Sequence, residues 1–223
     1  MSSVARASIT PAAIASIARS IYTKGPLLTR VLQHWRPFIC PLELVVEEVP
    51  PGSFVLDVGC GGGLLLGALA AMGRIRGGVG FDFSADGIRT AAAMAQSAAN
   101  GAELRFHHLS AMDPWPQGEF TVVALIDVMH HVPVAAQRDV FRKAAQVLKP
   151  GARLVYKDIA LRPKWRAWAN TLHDLILARQ WVHYVPMATV LEWGAAEGLV
   201  PVCSYGVKRL WYGHEFAVFV RPA

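Results

Sequence analysis

At 223 residues, with 53% hydrophobic and 17% charged side chains, the chain is long enough to bury one core and too apolar to be disordered. No apolar run approaches the roughly 20 residues that span a bilayer. Three scattered cysteines, Cys40, Cys60 and Cys203, argue against a disulfide framework or a zinc site and fit a reducing cytoplasm. The net charge of +6 is spread without a basic block, so no nucleic-acid partner is expected.

Helical patterns come first. Ile14, Ile17, Ala18 and Ile21 form one stripe, Leu28, Val31, Leu32 and Trp35 a second, and Leu42, Val45, Val46 and Val49 a third. Each spacing predicts a helix with one buried face. An acid-free start containing Arg and Ser can mark a transit peptide, but Thr10-Pro11 before the first stripe reads as a helix cap. Residues 1–51 are expected to form a helical lid over a core of residues 52–223, within one domain.

After Gly52 strands and helices alternate. "SFVLDVG", "RGGVGFDF", "AELRFHHLS", "FTVVALIDV" and "ARLVYKDIA" read as strands, with helices between all but the third and fourth. Ser84 is a plausible cap for the helix after the second strand. A long helical region over about 162–197 follows, and "VPVCSYGV" and "EFAVFVRPA" close the chain as strands joined through "KRLWYGH". Apolar strands separated by helices predict an α/β fold: seven strands, mostly parallel, with the last antiparallel and helices on both faces.

The loop after the first strand carries the function. G-x-G-x-x-G needs glycine at 64 or 66, where Leu64 and Leu66 stand, so a dinucleotide site loses its support. A phosphate loop fails too, because no Lys-Ser or Lys-Thr follows. D-x-G-x-G-x-G, from Asp57 to Gly63, remains. With Asp82 ending strand two and "VLKPGARLVYKD" leading into strand five, this resembles the class I S-adenosylmethionine (AdoMet)-dependent methyltransferases, of the kind that methylate small molecules such as ubiquinone and menaquinone precursors.

The resemblance implies a Rossmann-like core and AdoMet as methyl donor, with S-adenosylhomocysteine as product. It implies cofactor contacts at Asp57, Gly59, Cys60, Gly61, Gly63, Asp82, Phe83 and Asp127. Family members often have an acid after strand three for the adenine amino group; here Ser110, Ala111 and Met112 stand there instead. The four residues "DPWP" at 113–116 precede strand four, and are expected to be a turn rather than a nucleic-acid methyltransferase motif.

Methyl transfer needs in-line positioning, and a hydroxyl acceptor also needs a base. His130, His131 and His173 are candidates. Arg166, Asn170, His173, Tyr184 and Trp211 are candidate acceptor contacts, the arginine suiting an anionic acceptor. No carboxylate cluster suggests a metal. The expectation is metal-independent methylation of an O or C atom of an aromatic, quinone-like, polyketide or lipid-like acceptor. RNA- or protein-directed methylation, a non-catalytic AdoMet-binding regulator and a dehydrogenase remain open at this stage.

Overall fold

A computed structural model describes residues 9–98, 100–160, 183–210 and 212–223. Three helices come first: α1 (Pro11–Ile21), α2 (Leu27–Ile39) and α3 (Leu42–Glu47). Thr10 caps α1 by accepting from the Ala13 N–H at 3.1 Å. The α1 and α3 stripes are buried, as expected, apart from Ile17, which is half-buried. That of α2 is not: Leu28, Val31, Leu32 and Trp35 are exposed, while Pro37 is buried. Periodicity identifies the helix but not which side meets the body.

The core then alternates β1 (Ser53–Val58), α4 (Leu64–Ala71), β2 (Ile75–Asp82), α5 (Ala85–Ala98), β3 (Glu103–His108) and β4 (Val122–Ile126). A 3-10 turn (Met129–His131), α6 (Val134–Gln146), β5 (Arg153–Ile159), α7 (Met187–Ala196), β6 (Val200–Arg209) and β7 (Tyr212–Val220) follow. Ser84 caps α5 through the Gly87 N–H. Helix α4 is apolar on every side because it is enclosed: Met94 of α5 and Ile21 of α1 both press on Gly67.

The sheet runs β3-β2-β1-β4-β5-β7-β6, with β1 to β5 mutually parallel and β7 antiparallel to both neighbours. The closing strands are longer than their apolar runs suggest. They extend through most of "KRLWYGH" to pair Arg209 with Tyr212, because hairpin pairing continues wherever backbone geometry allows, whatever the side chains. One apolar cluster lies on each face of the sheet. Strand order reverses between β1 and β4, and a ligand crevice belongs beyond the carboxyl ends of these strands. Among the described residues no helix is long and apolar enough to cross a membrane.

Candidate functional site

The loop from Gly59 to Gly63 follows β1 and turns sharply into α4. Gly59, Gly61 and Gly63 all have left-handed φ, at +70°, +52° and +80°. A Cβ at Gly59 would also sit 2.5 Å from Cγ2 of Val128. The backbone is thereby brought close to whatever fills the crevice. Asp82 shapes the loop: its two carboxylate oxygens accept from the Gly61 N–H at 2.9 Å and the Ser84 N–H at 2.8 Å. Each oxygen keeps lone pairs for a second donor.

A cavity of about 530 Å³ opens on this loop, with Gly59, Asp82 and Phe83 on one wall and Ser110, Ala111 and Met112 beside them. Asp127, His131 and His183 line its other end. Phe83 and Met112 are exposed there, presenting flat or flexible apolar surface. The segment 110–113 is fixed from below: Lys143 of α6 donates to the Met112 carbonyl at 2.7 Å and the Asp113 carbonyl at 3.0 Å. Trp115 is buried, packs at a tilt against Phe81 and donates from Nε1 to the Ala111 carbonyl at 2.9 Å. The "DPWP" turn is thus an anchor for the cavity wall.

A smaller hollow lies on the other side of the loop, lined by Arg36, Asp57, Gly59, Cys60 and Leu64 among others. Asp57 is buried, and among the described residues nothing hydrogen-bonds its carboxylate. Burial pushes its pKa up to about 7, against the pull of Arg36 and with a further rise from Asp82. Helix α2 supplies Arg36 to this hollow, and Gln33 and Tyr22 also meet the loop, the Tyr22 hydroxyl donating to the Gly62 carbonyl at 2.7 Å.

Asp127 differs from Asp57. It has left-handed φ, +54°, and pairs with the fully buried Lys157 of β5 at 2.6 Å. Burial alone would raise its pKa, but Lys157, Arg36 and His130 together hold it well below the usual carboxylate range. The Cys40 thiol donates to Asp127 at 3.3 Å, and the Lys157 ammonium lies 3.4 Å from its sulfur. Burial, the largest influence, pushes the Cys40 pKa up to about 11, so it remains a thiol.

The histidines divide. His131 lines the cavity; His130 is buried, with Nδ1 on the Asp158 carboxylate and its backbone N–H donating to the same group at 3.2 Å. The two imidazoles are adjacent, with centroids 4.1 Å apart. Tyr184 packs 5.5 Å from the His130 ring and lines a neighbouring hollow, not the main cavity. His173, Arg166, Asn170 and Trp211 lie outside the described residues. Sequence reasoning missed Arg36 and Lys143 as candidate site residues, while His183, one of the aromatic side chains that could wall the pocket, does line the cavity. The signals of the two cations were weak, since isolated cations on helices have no diagnostic spacing.

A family model described as a methyltransferase domain matches residues 55–151, from β1 to the turn before β5. A ubiquinone biosynthesis O-methyltransferase of Albidiferax ferrireducens is 31% identical over 150 residues, 66% of this chain and 52% of that protein. The corresponding protein of Aromatoleum aromaticum is 33% identical over 110 residues, 48% of this chain and 44% of that protein. The chain thus spans about half the length of these curated relatives. A magnesium protoporphyrin IX methyltransferase from Synechocystis, solved with SAH bound, has the same fold. Its TM-score is 0.65 at 19% identity, over 92% of this chain and 93% of that one.

Proposed function

We propose that the chain is a class I AdoMet-dependent methyltransferase and that it methylates an O or C atom of a small aromatic, quinone-like or lipid-like acceptor. The observation that carries this reading is the pairing of two sites across one glycine loop. On one side Asp82, Phe83 and Met112 line a cavity of nucleoside size. On the other, Arg36 and Asp57 put a cation and a carboxylate beside one narrow hollow of about 10 Å³, the pair of charges that the carboxylate and ammonium of an amino acid would seek if the hollow widened on binding. Asp82 would accept from two ribose hydroxyls. Phe83 and Met112 would pack on an adenine ring.

When bound, AdoMet supplies an electrophilic methyl group on a sulfonium, and in-line attack leaves a neutral thioether. The residues around it position and dry the reaction. His131, at the far end of the cavity from the nucleoside wall, takes the proton of a hydroxyl acceptor. The buried His130–Asp158 pair holds the ring packed behind it. A carbon nucleophile such as a quinol needs only orientation. The carboxylates at the carboxyl ends of β4 and β5 are already engaged, Asp127 by Lys157 and Asp158 by His130, which favours a metal-independent route. The curated relatives named above act in ubiquinone biosynthesis, which supports a phenolic or quinol acceptor.

Calorimetry with AdoMet tests the cofactor assignment. Asp82→Asn, which keeps the shape of the carboxylate, is expected to weaken binding about tenfold by losing charge-assisted bonds. Asp82→Ala, which also frees the loop, should cost more. Unchanged affinity in both would remove Asp82 from the site. Labelled AdoMet with phenolic and quinol acceptors then tests turnover, and binding without turnover on any acceptor would make the protein a regulator.

A further inference from the structure

The stripe on α2 is turned outward, and it is large. Leu27, Leu28, Leu32 and Trp35 are between 56% and 71% exposed, with Val31 at 42%. They share one arc of the helix, while Gln33, Arg36 and Pro37 face the body. Contiguous apolar surface of this kind marks an interaction site, not a scatter of single exposed residues.

The charge around it is of one sign. Residues 9–42 contain Arg19, Lys24, Arg30 and Arg36 and no Asp or Glu. Arg19, Lys24 and Arg30 are exposed. Arg19 contacts the His34 ring at 2.9 Å, and Arg30 donates to the Tyr22 carbonyl at 2.9 Å. Among the described residues no carboxylate pairs with any of the three. A helix with an apolar arc, an aromatic residue near one end and a cationic border has the composition of an interfacial helix. A second copy of the chain would bring like charges together, whereas an anionic bilayer neutralises them.

We propose that the N-terminal helices dock the protein on an anionic lipid surface, α2 lying in the interface with Leu28, Leu32 and Trp35 immersed. The same helix carries Arg36 to the glycine loop. Docking would therefore set the methyl-donor site beside the membrane, where a lipid-soluble acceptor resides. Attachment itself does not depend on methyl transfer, so the two readings fail separately.

Co-sedimentation with vesicles tests the proposal, using phosphatidylcholine alone and phosphatidylcholine with phosphatidylglycerol. Binding is expected only with the anionic lipid and should weaken as salt rises. Leu28→Glu/Leu32→Glu should reduce it about tenfold or more. Lys24→Gln and Arg30→Gln should each reduce it by about fivefold. AdoMet affinity by calorimetry, and the melting temperature, should stay near wild type in these variants and report that the fold persists. No binding to anionic vesicles would overturn the proposal, as would binding unchanged in the double leucine variant. Dimerisation in solution that the leucine changes abolish, without vesicle binding, would assign the face to a second copy instead.

Discussion

Two aspartates at the carboxyl ends of neighbouring strands behave oppositely, and the largest charge that separates them is one lysine. Asp127 has Lys157 at 2.6 Å and stays ionised; Asp57 has only the more distant Arg36 and is poised near neutrality by burial. Its raised pKa has a linked consequence. The native protein holds the Asp57 proton more tightly than the unfolded chain does, so this group contributes less to stability as pH rises through about 7. An ammonium at that site needs the carboxylate. AdoMet binding should therefore release a proton near neutral pH, and affinity should fall by up to about tenfold per unit as pH drops below 7. Calorimetry in buffers of different ionisation enthalpy measures the released proton directly. Asp57→Asn should bind more weakly and without that pH dependence; a wild-type affinity flat between pH 5 and pH 8 would remove Asp57 from the ammonium site. Removing Lys157 probes the other carboxylate. Lys157→Met leaves Asp127 without its partner and should cost about 3 kcal/mol, a melting temperature lower by about 10 °C for a chain of this length. Adding Asp127→Leu should recover part of that loss, since the pair can be replaced by apolar contact.

At the level of elements, the cavity is made by parts distant in sequence. Helix α6 supplies Lys143, which binds the carbonyls of Met112 and Asp113 and so stiffens the wall proposed for adenine. Lys143→Met should raise the KM for AdoMet several-fold while kcat changes little, because the lysine positions a loop without touching the reacting atoms. An equal fall in kcat and kcat/KM would show that the loop acts in the transition state instead. Helix α2 works in the same way on the opposite side. Its inner residues meet Gly61 and Gly62, and Cys40, immediately after it, joins the Asp127–Lys157 pair. The N-terminal helices are thus tied to the carboxyl ends of β1, β4 and β5. The helix periodicity was legible in the sequence, but its outward apolar face was not, since the same stripe would equally suit a buried helix.

For the whole molecule, a ligand bridging the hollow and the cavity should stabilise the parts that meet there. Hydrogen exchange with S-adenosylhomocysteine is expected to slow in residues 59–63 and in α2, with α7 and the β6–β7 hairpin little changed. Uniform protection, or none in α2, would separate the N-terminal helices from the cofactor site. The amino-acid order by itself determined the alternation of strands and helices, the antiparallel close and the glycine turn flanked by Asp57 and Asp82. These depend on local periodicity, on backbone conformations only glycine adopts readily, and on short spacings, all of which survive in one dimension. Tertiary structure alone decided that His130 is buried on Asp158 while His131 meets the cavity, that Arg36 and Lys143 reach the loops from remote helices, and that α2 turns its leucines outward. Each of those outcomes depends on which elements pack together and on the charges they bring within a few ångströms, and a linear pattern carries no measure of that distance.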